Sequence, residues 1–413
     1  MAVIRPFRAL RPASKVASRV ASVPYDVVSR DEARALAQDE PLSFLHVSRV
    51  EIDLPAGTDP YTDEVYVKAT DAFLGLRRRA PFVRDAEASF YIYRLTAHGQ
   101  SQTGVAACWS LDEYDRGAIK KHEHTRRDKE DDRTRHMLAL GAQTGLVFLT
   151  YRAVPAIAAI ARRVCEAAPE VDFEAADGVR HTIWRAPTGE NGALMAAFAA
   201  VPALYIADGH HRVASAARAR AELTATTPTA PGDAEGGVDT VLAVAFPHTE
   251  VRILPYNRIV TDLAGRSPAE LRDAIAARCP VRAGAPAPSR AGEVSMYLDG
   301  RWHAVDLEAV EAAPAEGRAD RLDVARLHAG IVGPLLGIGD VRQDPRIDFV
   351  GGACGPSPLQ ALVDCGLAAV AFSMYPVTVD DLMAVSDEGG IMPPKSTWFE
   401  PKLRDGLLIH LIA

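Results

Sequence analysis

The chain has 413 residues, 48% of them hydrophobic, with 46 basic against 54 acidic side chains and a formal charge of −8. A chain of this size buries a core without disulfide staples, and five scattered cysteines with no C-x-x-C pair read as thiols of a reducing, cytoplasmic compartment. The acidic balance argues against nucleic acid as the main partner, and no run of about 18 apolar residues marks a signal peptide or membrane span.

In chain order, Pro6, Pro12 and Pro24 predict an extended lead through Asp26 with no helix. Tyr25 and Asp26 read either as a turn packed near a site or as a strand end. Ser29, with Glu32 three residues on, predicts a capping box that opens a helix over 29–37. A helix follows over 61–79, then strands over 89–96 and 104–110, paired as a hairpin. The most charged stretch, DRGAIKKHEHTRRDKEDDRTRH, reads on composition as a solvated helix. Strand 146–151, helix 153–168, strand 179–185 and helix 191–200 lead to the apolar strand 203–207. That strand runs into Asp208-Gly209-His210-His211-Arg212 and a helix over 213–223.

Residues 224–237 are rich in Pro, Gly and Thr and predict a linker. It would divide an N-terminal α+β domain, 1–223, from a C-terminal α+β lobe, 238–413. In the second half the pattern predicts strands over 240–246 and 251–255, helix 268–278 and a hairpin over 294–307 turning at Asp299-Gly300. Helix 323–336, strand 347–350, helix 358–364 and strand 368–374 follow. The class expected is α+β, with mixed sheets and a second lobe.

Three clusters carry chemistry. Asp208 to Arg212 lies between a strand and a helix, where backbone N–H groups hold anions; Gly209 allows close approach, while His210, His211 and Arg212 add donors. The competing structural reading is that Asp208 caps the helix and Arg212 pairs with a carboxylate. In the second cluster, Lys120 to Thr125, Glu123 stands among cations and imidazoles, the setting for a general base. His122, His124 and Arg133 are candidate substrate contacts beside it. The spacing is not that of an H-E-x-x-H zinc helix, and hydrogen bonding explains the four histidines better than a metal does. In the third, Ile391 to Lys402, prolines stiffen a loop where Lys395, Ser396 and Thr397 offer donors to a phosphate or carboxylate. With the second cluster followed on through Arg133, five of the seven lysines fall in the second and third clusters, so a compact ammonium is expected there.

Taken together, IRPFRALRP with VPYDVVSRDE, HEHT with Asp132 and Arg133, IADGHHR, ILPYNRIV and MPPKSTWFEPK resemble the DUF1015 family over almost the whole chain. The DGHHR element resembles the phosphate turn of the ParB/sulfiredoxin-like superfamily, which includes free-serine kinases. That resemblance implies a ParB/sulfiredoxin-like core and a phosphotransferase. The donor would be a nucleotide or pyrophosphate, and the acceptor a small hydroxyl compound, free L-serine first. Glu123 would then be the base, with His211 as a second catalytic group. Asp208, Gly209, His210, His211 and Arg212 would hold the donor and Asp208 a Mg²⁺ ion, with the terminal KSTWFEPK loop returning to the site. The turn has no cysteine, which speaks against sulfiredoxin chemistry. The rival readings are a non-catalytic nucleotide- or small-molecule-sensing protein and, less favoured, a DNA-associated ParB-like protein; a homo-oligomer is left open.

Overall fold

The computed structural model describes residues 2–226, 237–310 and 317–412. The fold is α+β, in two compact units: Met1–Val251 with Pro401–Ala413, and Arg252–Glu400.

The first unit is built on a mixed nine-stranded sheet. In chain order its strands are β1 (Ile4–Arg5), β2 (Tyr91–Ala97), β3 (Gln100–Ser110), β4 (Ile119–Lys120), β5 (Val147–Tyr151), β6 (Val171–Glu174), β7 (Arg180–Arg185), β8 (Leu204–Asp208) and β9 (Thr240–Pro247). Across the sheet the order is β4-β8-β5-β9-β3-β2-β7-β6, with β1 added to β3. Most neighbours are antiparallel; β4 with β8 and β5 with β9 run parallel. The β2–β3 hairpin turns at His98 and Gly99, both at positive φ (51° and 74°), the geometry whose twist matches paired strands. Interior strands β5, β8 and β9 are apolar and buried on both faces, hence their continuous rather than alternating hydrophobicity. Trp109, fully buried, packs edge-on to Phe198 at 5.1 Å and gives its indole N–H to the Ala243 carbonyl at 3.0 Å, so its one polar atom is satisfied in the core.

The helices that matter below are α1 (Arg30–Ala37), α2 (Asp63–Arg79), α3 (Arg127–Leu140), α4 (Pro155–Val164), α5 (Asn191–Ala199) and α6 (His210–Thr226). Ser29 and Glu32 form the expected capping box on α1. The lead is not wholly extended: Ser14–Val20 is a helix. Between Pro12 and Pro24 no proline interrupts the backbone, and a proline just before a helix costs it nothing. The charged stretch is not one solvated helix either. It is β4, then a loop, then α3, whose Asp132, Thr134 and His136 are buried.

The expected linker, 224–237, falls largely outside the described residues. The boundary that contacts define lies between Val251 and Arg252. Thr240–Pro247, expected to open the second lobe, is instead an interior strand of the first sheet, held by β3 and β5. Its eight buried residues need a partner on both sides, which this sheet supplies. The chain re-enters the first unit at Pro401, and His410–Leu411 pairs with Ala142–Gln143.

The second unit carries a six-stranded sheet from β10 (Tyr256–Val260), β11 (Val281–Ala283), β12 (Glu293–Leu298), β13 (Arg301–Asp306), β14 (Ile347–Gly351) and β15 (Val370–Ser373), in the order β11-β13-β12-β15-β10-β14. The β12–β13 hairpin turns at Asp299-Gly300 as expected, with φ of 50° and 72°. Leu271, Ile275, Leu327, Ile331 and Leu336 pack on the inner face against Met296, Val305 and Phe372. The helix expected over 323–336 is broken in three: Asp323–Leu327, a π-helical turn His328–Val332 and Gly333–Leu336.

Candidate functional site

Strand β8 ends in a register shift between Ile206 and Asp208, which re-aims the chain at the head of α6. Gly209 follows at φ 95°, the left-handed region that favours glycine. A Cβ there would stand 3.2 Å from Arg212 Nη1 and 3.4 Å from the Val147 Cα, so the position is tight as well as strained. Its carbonyl accepts the N–H groups of Arg212 and Val213, opening α6 three residues earlier than expected. His210, His211 and Arg212 are therefore the first helical turn rather than a loop.

That turn grips the HEHT loop. His210 Nε2 accepts the backbone N–H of His122 at 3.4 Å, and the two rings meet edge to face with centroids 4.5 Å apart. His211 Nε2 accepts the N–H of Arg126 at 3.1 Å. The loop's near and far ends are thus fixed to consecutive residues of one helix. Between them lies Glu123, and ligand atoms of His122, Glu123 and His210 all fall within 4.8 Å of one another. Burial holds all three of His122, His210 and His211 below the ordinary imidazole range, His122 at about 4. They are neutral near pH 7, able to accept hydrogen bonds. His124, in the same loop, is exposed.

Asp208 is engaged by a residue not singled out as its partner: Lys402 Nζ donates to its Oδ2 at 3.0 Å. Burial alone would raise this carboxyl, but Lys402 and Arg212 together hold it well below the carboxylate range. Arg212 is buried, and both of its terminal nitrogens donate within the chain. Nη1 reaches the Leu146 carbonyl at 2.9 Å and Nη2 reaches Asp26 Oδ1 at 2.9 Å. It brings positive charge to the back of the turn rather than an open fork. Asp405 shares this interior, where burial, reinforced by Asp26 and Asp208 against the pull of Arg212, pushes its carboxyl up to about 7. A cavity of about 40 Å³ lies here, bounded by Tyr25, Arg133, Gly145, Arg212 and Asp405 among others.

Arg133, expected near substrate, lies in the same buried network. It pairs with Asp132 at 2.7 Å, donates to the Ser48 carbonyl at 3.3 Å and stacks 4.2 Å over the Tyr25 ring. Tyr66 donates to the other Asp132 oxygen at 2.9 Å. Tyr25 lies between Arg133 and Arg212, whose guanidinium is 5.6 Å away. The Pro-Tyr-Asp turn, open to two readings from sequence, thus packs beside the site.

The third cluster is divided between the units. Lys395, Ser396 and Thr397 belong to the second, where Ser396 Oγ donates to the Pro393 carbonyl at 2.6 Å and Lys395 Nζ lies 5.4 Å from the Tyr256 ring centre. Lys402 belongs to the first. Its ammonium, rather than that of Lys395, reaches Asp208.

No described helix is long and apolar enough to cross a membrane. No curated protein matches the chain. Among solved structures it is similar to SbnI with a C-terminal truncation from Staphylococcus aureus, at 13% identity and TM-score 0.40 over 74% of this chain and 87% of that one. It is similar to a conserved hypothetical protein from Pyrococcus furiosus, at 14% and 0.36 over 75% and 95%. It is also similar to a free serine kinase in complex with AMP, at 13% and 0.36 over 74% and 91%. The family model described as "Protein of unknown function (DUF1015)" matches residues 4–325, and the chain belongs to that family.

Proposed function

We propose that the protein is a phosphotransferase that moves a phosphoryl group from a nucleotide or pyrophosphate to a small hydroxyl compound, with free L-serine the first acceptor. The observation that carries this reading is the convergence of Glu123, His122 and His210 at the head of α6, beside a strained glycine and a half-buried lysine–aspartate pair. Phosphoryl transfer needs positioning and charge neutralisation more than covalent help. The first turn of α6 supplies N–H groups and the positive end of the helix dipole to a donor phosphate. Lys402 and Arg212 add positive charge beneath it. Glu123 orients the acceptor hydroxyl and takes its proton, while neutral His210 and His211 hold the loop that carries Glu123 and so act as positioning residues.

Mg²⁺ belongs to this reading. It is commonly bound through one or two carboxylates plus substrate phosphates, and Asp208 fits as such a ligand through the carboxylate oxygen that Lys402 does not engage. When bound, the ion neutralises phosphate charge. The neighbouring set of two imidazoles and one carboxylate suits a softer ion better than Mg²⁺, so it is left to Glu123's role as base. Serine is named first because of the motif resemblance to the free-serine kinases.

The test is incubation of purified protein with L-serine, Mg²⁺ and ATP, ADP or pyrophosphate in turn, with phosphoserine read by mass spectrometry. Product with one donor supports the reading. Nucleotide binding without product from any donor would replace it with the sensing role.

A further inference from the structure

Two stretches that phosphoryl transfer leaves unused, ILPYNRIV and the MPPK part of the C-terminal loop, meet in the second unit around one guanidinium. Arg258 stands on β10, next to the edge strand β14, and is 4% exposed. Among the described residues its donors go to backbone: Nη1 to the Tyr256 carbonyl, Nη2 to the carbonyls of Lys395 at 3.1 Å and Pro394 at 3.4 Å. Lys395 holds φ at 58°, a left-handed conformation uncommon outside glycine, within the loop that presents these carbonyls. Among the described residues no carboxylate pairs with Arg258. Burial pushes its pKa down to about 10, the direction expected of a cation removed from water without a counter-charge.

This cation lines a cavity of about 470 Å³, within the size range of small-molecule sites. Val324, Leu327, Val332 and Ile347 form an apolar wall, and Pro393 and Pro394 another side. The helical wall is where the α-helix gives way to the π turn His328–Val332, a distortion that often marks functional sites. His328 lines the same cavity; its ring bonds the Gly339 carbonyl, and its Nδ1, shut from solvent, has no hydrogen-bond partner among the described residues.

We infer that this cavity binds a small organic acid, its carboxylate paired with Arg258 and its apolar body laid along the Val324–Val332 wall. A single buried guanidinium matches a single negative charge, and the N–H groups of Arg258 not directed at the Tyr256, Pro394 and Lys395 carbonyls are left to a carboxylate oxygen. Asp320, Arg326, Asp340 and Arg342 also line the cavity, two charges of each sign and three of them at exposed positions, so the carboxylates oppose a polyanion while the apolar wall favours a hydrocarbon body. Nothing in this inference requires phosphoryl transfer.

The test uses the full chain, without any phosphoryl donor, and titrates octanoate and its neutral counterpart octanamide by calorimetry. Octanoate is expected to bind at least tenfold more tightly than octanamide, and Arg258→Met to abolish that difference. Because Arg258→Met removes a buried side chain, a second variant, Ala329→Trp, fills the cavity rim at an exposed position without touching Arg258. It is expected to weaken both ligands at least tenfold at unchanged melting temperature. Equal affinity for acid and amide in the natural protein, or octanoate affinity unchanged by Ala329→Trp, would overturn the inference and leave the phosphotransferase reading untouched.

Discussion

Lys402 Nζ stands 3.0 Å from Asp208 Oδ2, joining residues 194 positions apart at the foot of the α6 turn. The lysine side chain is 11% exposed and the aspartate 25%, so neither ion is freely hydrated. Lys402→Met leaves a partly buried carboxylate without its cation and is expected to cost on the order of 3 kcal/mol in urea unfolding. Asp208→Asn in the same background should recover part of that loss, and a double-mutant cycle reads the coupling.

Glu123 is only partly buried and sits on a loop, so its replacement disturbs chemistry more than folding. Glu123→Gln is expected to slow phosphoserine formation by about 100-fold or more, with a melting temperature close to that of the natural protein. A variant that keeps full activity would remove Glu123 from the role of base.

Gly209→Ala forces a Cβ into a backbone at φ 95°, against Arg212 Nη1 and the Val147 backbone. The expected cost is on the order of 1–3 kcal/mol, with loss of nucleotide affinity as the turn opens. Urea unfolding and equilibrium nucleotide binding check the two effects separately.

His211→Phe removes the acceptor for the Arg126 N–H while keeping an aromatic ring in place. Faster hydrogen–deuterium exchange at Arg126 is the expected signature, together with a fall in kcat, since the loop that holds Glu123 loses one of its two anchors.

Asp405 gives the pH dependence a defined sign. Its carboxyl is raised from 3.8 to about 7 in the folded protein, so between those values the native state holds a proton that the unfolded chain has released. Its contribution is full below the unfolded value and declines as pH rises through the folded one. Asp405→Asn, which stays neutral, should therefore gain stability relative to the natural protein from pH 5 to pH 8. Thermal melts across that range measure the difference.

Local signals were the most legible. The Ser29–Glu32 capping box and the Asp299-Gly300 turn are decided by neighbouring residues and stand where the sequence placed them. The convergence of Glu123 with the DGHHR turn is a tertiary relationship. What produces it, two imidazoles accepting backbone N–H groups, leaves no trace in residue spacing. Arg212 and Arg133 looked like ligands because arginines often are, yet both give donors to carboxylates of this chain, Asp26 and Asp132. Lys402 was hidden for a different reason: a contact spanning 194 residues follows from topology, so the enrichment of lysine pointed to a region rather than to an atom. The boundary after Val251 was missed because a permissive loop composition at 224–237 is a stronger local cue than the apolar strand that crosses back beyond it.

The route of the chain through its two units has a consequence for biosynthesis. Residues 252–400 intervene between the bulk of the first unit and the segment bearing Lys402 and Asp405. Ile253–Leu254 pairs with Trp398–Phe399, so this intervening body is clasped where it begins and where it ends. A ribosome must therefore emit all of it before the lysine that neutralises Asp208 exists. Until then a nascent chain carries Asp208 at the turn without the ammonium that balances it, and assembly of the pocket waits on translation of a separate lobe.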